Sequence, residues 1–255
     1  MKAFILFLVL VNCNLIPNPE KGLDAFFKFL SFREVPPLQV SSILPKDKTT
    51  AIVRNTNIFI GFNRSLVSFD EKNFSITDSE KNAHSGKITI NDNFLTFTQD
   101  TYFKEFKTYT ITIKKESGLS TDFTSSFATS NVIDNSPPIV TTTSPLEGEK
   151  DFPLNASIIF NFNEAIDPTS ITSSTFTITG LNEVERRAED SAAILKPKSN
   201  LLELNPYIVT IRAGIKDLSG NRTTSPYSVL FSTGTSIVND SCVYDTGIYG
   251  GCLYK

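Results

Sequence analysis

Four oxygen-bearing side chains in the second half of the chain have the types and spacing of a metal site. They are Glu164, Asp167, Asp217 and Asn221. Calcium prefers six to eight oxygen ligands from carboxylates and turn carbonyls, so one hypothesis is a calcium site. The alternative is turn chemistry, in which Asp167 opens a turn before a proline and residues 217–221 form a turn with glycine at positive φ. The sequence leaves both interpretations open.

No catalytic motif accompanies these residues. The single histidine, His84, lies in the polar stretch 79–87, which predicts a solvated loop residue and not the base of a Ser-His-Asp triad. No glycine-rich phosphate loop is present, and no motif selects a pair of carboxylates for glycoside hydrolysis. A net charge of -3 gives no basic field for gripping nucleic acid. We therefore expect no enzyme and no nucleic-acid partner, with an undetected envelope hydrolase as a distant alternative.

The three cysteines lie near the two ends of the chain and suggest a lipid anchor and a disulfide. The apolar run 3–11 is typical of a signal peptide and is too short to span a bilayer as a helix. It leads into Cys13, which resembles a bacterial lipobox of the looser spirochaete type, although Asn12 replaces the usual small residue. Lipidation of Cys13 would leave Cys242 and Cys252 as a pair, and we favour a disulfide because a structural metal site needs about four ligands. An ordinary cleaved signal peptide with an incidental cysteine is the alternative.

Alternating apolar residues surround the acidic positions and predict β-strands. Phe160 and Phe162 alternate with Asn161 and Asn163, which is the period of a half-buried strand. The two phenylalanines are predicted to face the interior, and Asn161 is predicted to face outward. A second alternating run at residues 176–178 predicts the next strand.

This pattern occurs twice in the chain. Three residues of the first half recur 100 positions later: Asn55, Ile58 and Phe62 match Asn155, Ile158 and Phe162. Later matches drift between offsets of 98 and 104, which indicates loop insertions in a duplicated domain. A repeat of about 100 residues fits an Ig-like sandwich.

Several motifs of the second copy occur in a characteristic order. They are Pro137-Pro138, Ser144-Pro145, Phe160-Asn161-Phe162-Asn163-Glu164, Asp167-Pro168, Asn205-Pro206-Tyr207, Asp217-Leu218-Ser219-Gly220-Asn221 and Phe231-Ser232-Thr233-Gly234. In this order they resemble the bacterial Ig-like domain type 5, or SbsA Ig-like domain, over about residues 137–235. The first copy, about 37–130, is diverged: Arg64 replaces the acid, and residues 116–118 replace the Asp-x-x-Gly-Asn turn. The resemblance implies a non-catalytic extracellular module of a surface protein.

The sequence thus predicts an all-β protein with two tandem Ig-like antiparallel β-sandwiches. The expected segments are a signal peptide at 1–12, a lipidated tether at 13–36, Ig-like domain 1 at 37–133, a Pro-Pro linker at 134–138, Ig-like domain 2 at 139–236, and a disulfide-bearing tail at 237–255. Within the tether, residues 23–32 are strongly apolar and would form a short helix or a first strand.

These features predict a protein of the cell envelope. It would be anchored through lipid on Cys13, in the outer membrane or at the cell surface. The leading hypothesis is a binding or adhesion module with a protein partner at the surface. The alternative is a purely structural spacer or envelope-organising protein. No cofactor besides calcium is expected.

Overall fold

The computed structural model describes residues 36–238, and of these residues 38–238 belong to one compact unit. The predicted signal peptide, the lipidation of Cys13, the apolar stretch 23–32 and the Cys242–Cys252 disulfide lie outside the described residues. Among the described residues no helix is long and apolar enough to cross a membrane.

The first repeat is built from eight strands in two sheets. These are β1 (Val40–Leu44), β2 (Thr49–Ile52), β3 (Ile58–Phe62), β4 (Phe74–Asp78), β5 (Gly86–Asn91), β6 (Phe94–Gln99), β7 (Thr108–Ile113) and β8 (Phe123–Thr129). One sheet has the order β1-β3-β6-β5 and the other β2-β8-β7-β4. All pairs are antiparallel except β2 with β8, which is parallel. Two 3-10 helices, Glu71–Asn73 and Lys115–Ser117, lie between strands.

The second repeat follows the same plan with seven strands. These are β9 (Val140–Ser144), β10 (Ile158–Phe162), β11 (Phe176–Ile178), β12 (Val184–Glu189), β13 (Ala192–Pro197), β14 (Pro206–Ile211) and β15 (Tyr227–Ser232). The sheet orders are β12-β13-β10-β9 and β11-β14-β15, and every pair is antiparallel. The all-β prediction with two Ig-like sandwiches is therefore confirmed.

Each repeat buries its own core between its two sheets. The inward face of β3 supplies Ile58, Ile60 and Phe62 to the first core. The inward face of β10 supplies Ile158, Phe160 and Phe162 to the second. Phe160 is fully buried and Phe162 is 4% exposed, whereas Asn161 is only half-buried, so the predicted inside and outside of this strand are confirmed.

The repeated asparagines Asn55 and Asn155 bind the backbone where the chain leaves each sandwich. At the exit of the first repeat, the Asn55 side chain donates to Asp134 O (2.6 Å) and accepts from Asp134 N (2.9 Å). At the exit of the second repeat, Asn155 makes the same pair of bonds with Val238, each of 2.8 Å. These paired bonds satisfy backbone groups that leave the sheet without a ladder partner. The repeated asparagines are therefore structural.

A second repeated device closes the loop before the penultimate strand. The Tyr109 hydroxyl accepts from Lys104 N and the Tyr207 hydroxyl accepts from Leu202 N, both at 2.9 Å. Each tyrosine thus buries its ring in the core while its hydroxyl holds the backbone upstream, which resembles the tyrosine corner of Ig-like folds.

Candidate functional site

The two repeats meet at a joint whose apolar part is small and well covered. Leu44 and Phe59 point away from the first core, yet they are only 8% and 3% exposed because Leu218 of the second repeat packs on them. Ala165 completes this cluster, and the Asn57 N–H donates to Leu218 O at 2.7 Å. Burying side chains of this size stabilises a contact by about 1.5–3 kcal/mol each, so the repeats are held together by more than the linker.

The first linker residue, Asp134, is held by both repeats. Its backbone is bonded to Asn55 of the first repeat, and its carbonyl also accepts from Asn221 Nδ2 of the second repeat at 3.2 Å. The linker therefore begins in a fixed position. The side chain of Asp134 thereby lies beside the acidic residues of the second repeat.

Three carboxyl groups converge at this point. The carboxylate oxygens of Asp134, Glu164 and Asp217 lie within 4.8 Å of one another. Asp217 is buried, and its two oxygens accept from Asn221 N (2.9 Å) and Asn221 Nδ2 (2.7 Å). Among the described residues, no basic side chain forms an ion pair with any of the three.

Crowding and burial keep protons on this group. Burial raises the pKa of Glu164 to about 7, and the charges of Asp134 and Asp217 act in the same direction. Burial also raises the pKa of Asp217, although its hydrogen bonds to Asn221 oppose the rise. Like charges at this separation disfavour full ionisation, so near neutral pH the group holds a proton.

Asp167 does not join this group. Ile166 pairs with Asp217 across a β-bridge, and the next side chain along extended backbone points to the other side. There Asp167 caps the 3-10 helix Pro168–Ser170 by accepting from Thr169 N (2.8 Å), and it lies 3.9 Å from Lys216 Nζ. Burial raises the pKa of the Asp167 carboxyl, opposed by its hydrogen bonds to Thr169 and the Lys216 charge.

Of the four residues in the predicted calcium set, the structure brings Glu164, Asp217 and Asn221 together and leaves Asp167 apart. The sequence does not predict Asp134 as a member, because its composition places it in the linker. Its position in the cluster becomes visible only from the hydrogen bonds between Asn55 and the Asp134 backbone. Three carboxylates would supply part of the oxygen shell that calcium needs. Gly220 has φ of 92°, as the turn interpretation predicts. Calcium binding stays a prediction.

On the Asp167 side, the joint opens into a cavity of about 370 Å³. Its floor is the outer face of the β3-β6-β5 sheet in the first repeat, with Thr96 and Thr98 in its lining. Its wall comes from the second repeat and includes Lys216 and Arg222, which pair across a β-bridge. The sequence interpretation did not identify this groove. The only local signal was the two basic residues that flank the turn at 217–221.

The single histidine is not the solvated loop residue that was predicted. His84 is half-buried because its ring stacks on Phe103, with centroids 4.2 Å apart, beside the core ring of Tyr109. Its Nε2 lies 3.0 Å from Thr101 O, and burial lowers its pKa. The ring is thus used in packing, and within residues 36–238 no serine or cysteine is hydrogen-bonded to it.

Comparison with known proteins identifies the fold of both repeats. Residues 34–129 and 134–233 each match the family model described as bacterial Ig-like domain. No curated protein sequence matches the chain.

Several solved structures are similar to this chain at low sequence identity. The titin domains z1z2 in complex with telethonin are 9% identical, over 80% of this chain and 98% of that one, with a TM-score of 0.25. The N-terminal part of the bacterial S-layer protein SbsC is 14% identical, over 84% of this chain and 48% of that one, with a TM-score of 0.29. An L,D-transpeptidase from Mycobacterium tuberculosis H37Rv is 14% identical, over 75% of each chain, with a TM-score of 0.28. TM-scores this low carry no argument about function. The two family-model matches span most of the sequence, and the chain therefore belongs to the bacterial Ig-like domain family.

Proposed function

We propose that this chain is a lipid-anchored protein of the cell envelope whose two Ig-like domains act as a non-catalytic binding module. The observation that carries the proposal is the joint, in which Leu218 covers Phe59 and Asp134 is bonded to both repeats. A joint of this kind holds the surfaces of two domains in a constant arrangement, which a binding surface shared between domains requires. Ig-like domains of this family occur in bacterial surface proteins and are generally non-catalytic, which supports an envelope location.

The anchor half of the proposal rests on Cys13 and the apolar run before it. A single acyl chain binds membranes only marginally, whereas several bind stably, so a lipidated Cys13 would retain the protein in the membrane fraction. We expect Cys13→Ala to move the protein from the detergent phase to the aqueous phase. Equal partitioning of the two forms would contradict the anchor.

The binding half is tested with the soluble chain from Leu23 onward, immobilised and exposed to envelope and host-surface extracts. We expect saturable capture that competes with free protein. Phe59→Ala should weaken it, because this change loosens the joint, whereas Asn161→Ala, on the outer face of the second repeat, is the matched control. Capture that never saturates would contradict a binding module.

A structural spacer is the second candidate function, and the same joint favours it. A spacer needs a stiff connection and no ligand, so Phe59→Ala would impair envelope function in cells while capture by the soluble chain is absent for all variants. The two candidates are therefore separated by whether the wild-type chain binds saturably.

A further inference from the structure

The groove beside the joint has a floor of free hydroxyl groups. Phe59 pairs with Thr96, and Thr96 pairs with Thr89, so these side chains form one row across three strands of the first repeat. Thr98 lies two residues further along β6 on the same face. None of the three threonine hydroxyls has a hydrogen-bond partner within residues 36–238, which leaves them available to a ligand.

This floor is specific to the first repeat. The corresponding row of the second repeat runs from Ile159 through Ile194 to Arg187. The matching positions therefore carry hydroxyl groups in the first repeat and aliphatic or charged side chains in the second. The difference gives the groove a polar and uncharged floor of donors and acceptors.

The wall from the second repeat adds positive charge. Lys216 and Arg222 are cross-strand partners, so their side chains lie on the same side of the turn. Asp167 compensates Lys216 only weakly, at 3.9 Å. Across the part of the chain that the structure describes, no carboxylate lies within ion-pair distance of Arg222. Its guanidinium group is thus free to bind a carboxylate or sulfate in bidentate geometry.

We propose that this groove binds a glycan chain that carries carboxylate or sulfate groups. The sugar hydroxyls bond to Thr89, Thr96 and Thr98, and an acidic substituent binds to Arg222 with Lys216 beside it. A volume of about 370 Å³ is within the range of small-ligand sites, and such sites are common between domains. The inference rests on the proposed binding function and names the ligand class of one surface.

An acidic peptide added as a strand is disfavoured by the position of the floor. Phe59, Thr96 and Thr98 belong to β3 and β6, which are inner strands whose backbone groups are already bonded to neighbours on both sides, and of the floor threonines only Thr89 lies on an edge strand, β5. Strand addition needs a free sheet edge, whereas a ligand over this floor meets only side chains. Recognition must therefore use side-chain hydrogen bonds and charge, which suits a polyhydroxylated acidic chain.

The test measures binding of defined oligosaccharides to the detergent-solubilised full-length protein by calorimetry. The probes are a heparin octasaccharide with sulfate and carboxylate groups, a hyaluronan octasaccharide with carboxylates alone, and neutral dextran. We expect at least one acidic probe to bind, with affinity that falls as salt rises, and dextran to bind far more weakly. Which acidic probe binds better tells whether sulfate or carboxylate is preferred.

Two variants locate the site. Arg222→Gln should weaken binding about tenfold, since one charge-assisted contact is lost, and the isosteric Thr96→Val should weaken it about threefold. Arg212→Gln is the matched control: it removes the same charge from an exposed arginine outside the groove and should leave affinity unchanged. Melting temperatures of Arg222→Gln and Arg212→Gln should match the wild type, because both residues are exposed.

Three results would overturn the inference. They are absence of acidic-glycan binding above dextran, equal affinities of the wild type and Arg222→Gln, and equally tight binding of poly-glutamate of similar length. In any of these cases the proposed binding function still stands if the soluble chain captures a partner saturably. If nothing is captured and no glycan binds, both fail.

Discussion

The strands β3 and β10 occupy the same place in the two repeats but differ in how they are buried. In β10 the burial alternates, with Ile159 and Asn161 half-buried between buried neighbours. In β3 all five residues are buried. Phe59, on the outer face, is covered by Leu218 of the second repeat, and Gly61 has the Ser42 side chain directly over it. At Phe59 the outer face of the first repeat is thus interior to the joint, whereas the matching face of β10 is partly open to solvent.

On the other side of the joint, the second repeat carries residues that the first repeat lacks. The second repeat carries Glu164, Ala165 and the Asp217–Asn221 turn, which meet the first repeat and the linker. The first repeat has Arg64 and Ser65 at the matching positions and a shortened turn at 116–118. The two repeats therefore carry different halves of the joint, and the first copy diverges at positions that the second copy uses there.

The largest expected effect lies at a core position that occurs in both repeats, Phe62 and Phe162. Phe162 is 4% exposed, so Phe162→Ala should destabilise the second repeat by about 3–5 kcal/mol, a large part of the roughly 5–15 kcal/mol that holds a domain together. Urea unfolding followed by circular dichroism measures the loss. Asn161→Ala, next to it on the outer face, is the control and should change stability little. Equal losses would contradict the assigned faces.

The next prediction compares the outer face of β3 with the outer face of β10. Phe59→Ala should cost about 2–4 kcal/mol because Leu218 is left without its partner, whereas Ile159→Ala at the matching place should cost about 1 kcal/mol. In a double-mutant cycle, Phe59→Ala and Leu218→Ala should be non-additive, since their side chains touch. Additive losses would show that the joint does not form in solution.

Asp217 tests the turn interpretation against the calcium one. Asp217→Ala should cost about 1–3 kcal/mol, because half-buried donors of Asn221 lose their acceptors. Since both carboxylate oxygens are already bonded, we expect the same fall in melting temperature with calcium or with chelator. A fall that appears only with calcium would instead support the predicted ion site, because bound ligand stabilises by mass action.

The acidic cluster also predicts a pH dependence that the first repeat should lack. Burial raises the pKa of Glu164 from 4.5 to about 7, so the folded protein holds an extra proton between these values. The contribution of Glu164 to stability is therefore full below about pH 4.5 and falls as pH rises to about 7, by about 1–2 kcal/mol for this partly exposed group. Melting curves in chelator measure the fall. Glu164→Gln should reduce it and leave the remainder to Asp217 and Asp167, whose pKa values are raised as well. An unchanged profile would contradict this assignment.

The smallest expected effect is at the rim of the joint. Lys46 Nζ lies 2.8 Å from Asp190, but the two side chains are 63% and 45% exposed. An exposed pair of this kind contributes about 0.2–1 kcal/mol and less in high salt. Lys46→Ala should therefore barely change stability at physiological salt, with Lys48→Ala as a control. A loss as large as that of Phe59→Ala would mean that charge, not apolar contact, holds the joint.

Much of this architecture can be predicted, because it depends on short sequence patterns such as alternating apolar residues and turn glycines. The alternation around Phe160 fixes which face is buried, since consecutive side chains of a strand point to opposite sides. The recurrence of Asn55 as Asn155 reveals the duplication, and the glycine at 220 marks a turn that needs positive φ. These features depend on residues close in sequence or on comparison of one half of the chain with the other.

Contacts between distant segments were decided only by the tertiary structure. The sequence pattern makes Phe59 an outer residue, and its burial depends on Leu218, which is 159 positions away. Asp134 belongs to a linker by composition. It joins the acidic cluster because its backbone is hydrogen-bonded to Asn55 and Asn221. The sequence around His84 predicts a loop residue, but in the structure its ring stacks on Phe103. Periodicity determines the face of a side chain, but what covers that face depends on how two folded surfaces meet.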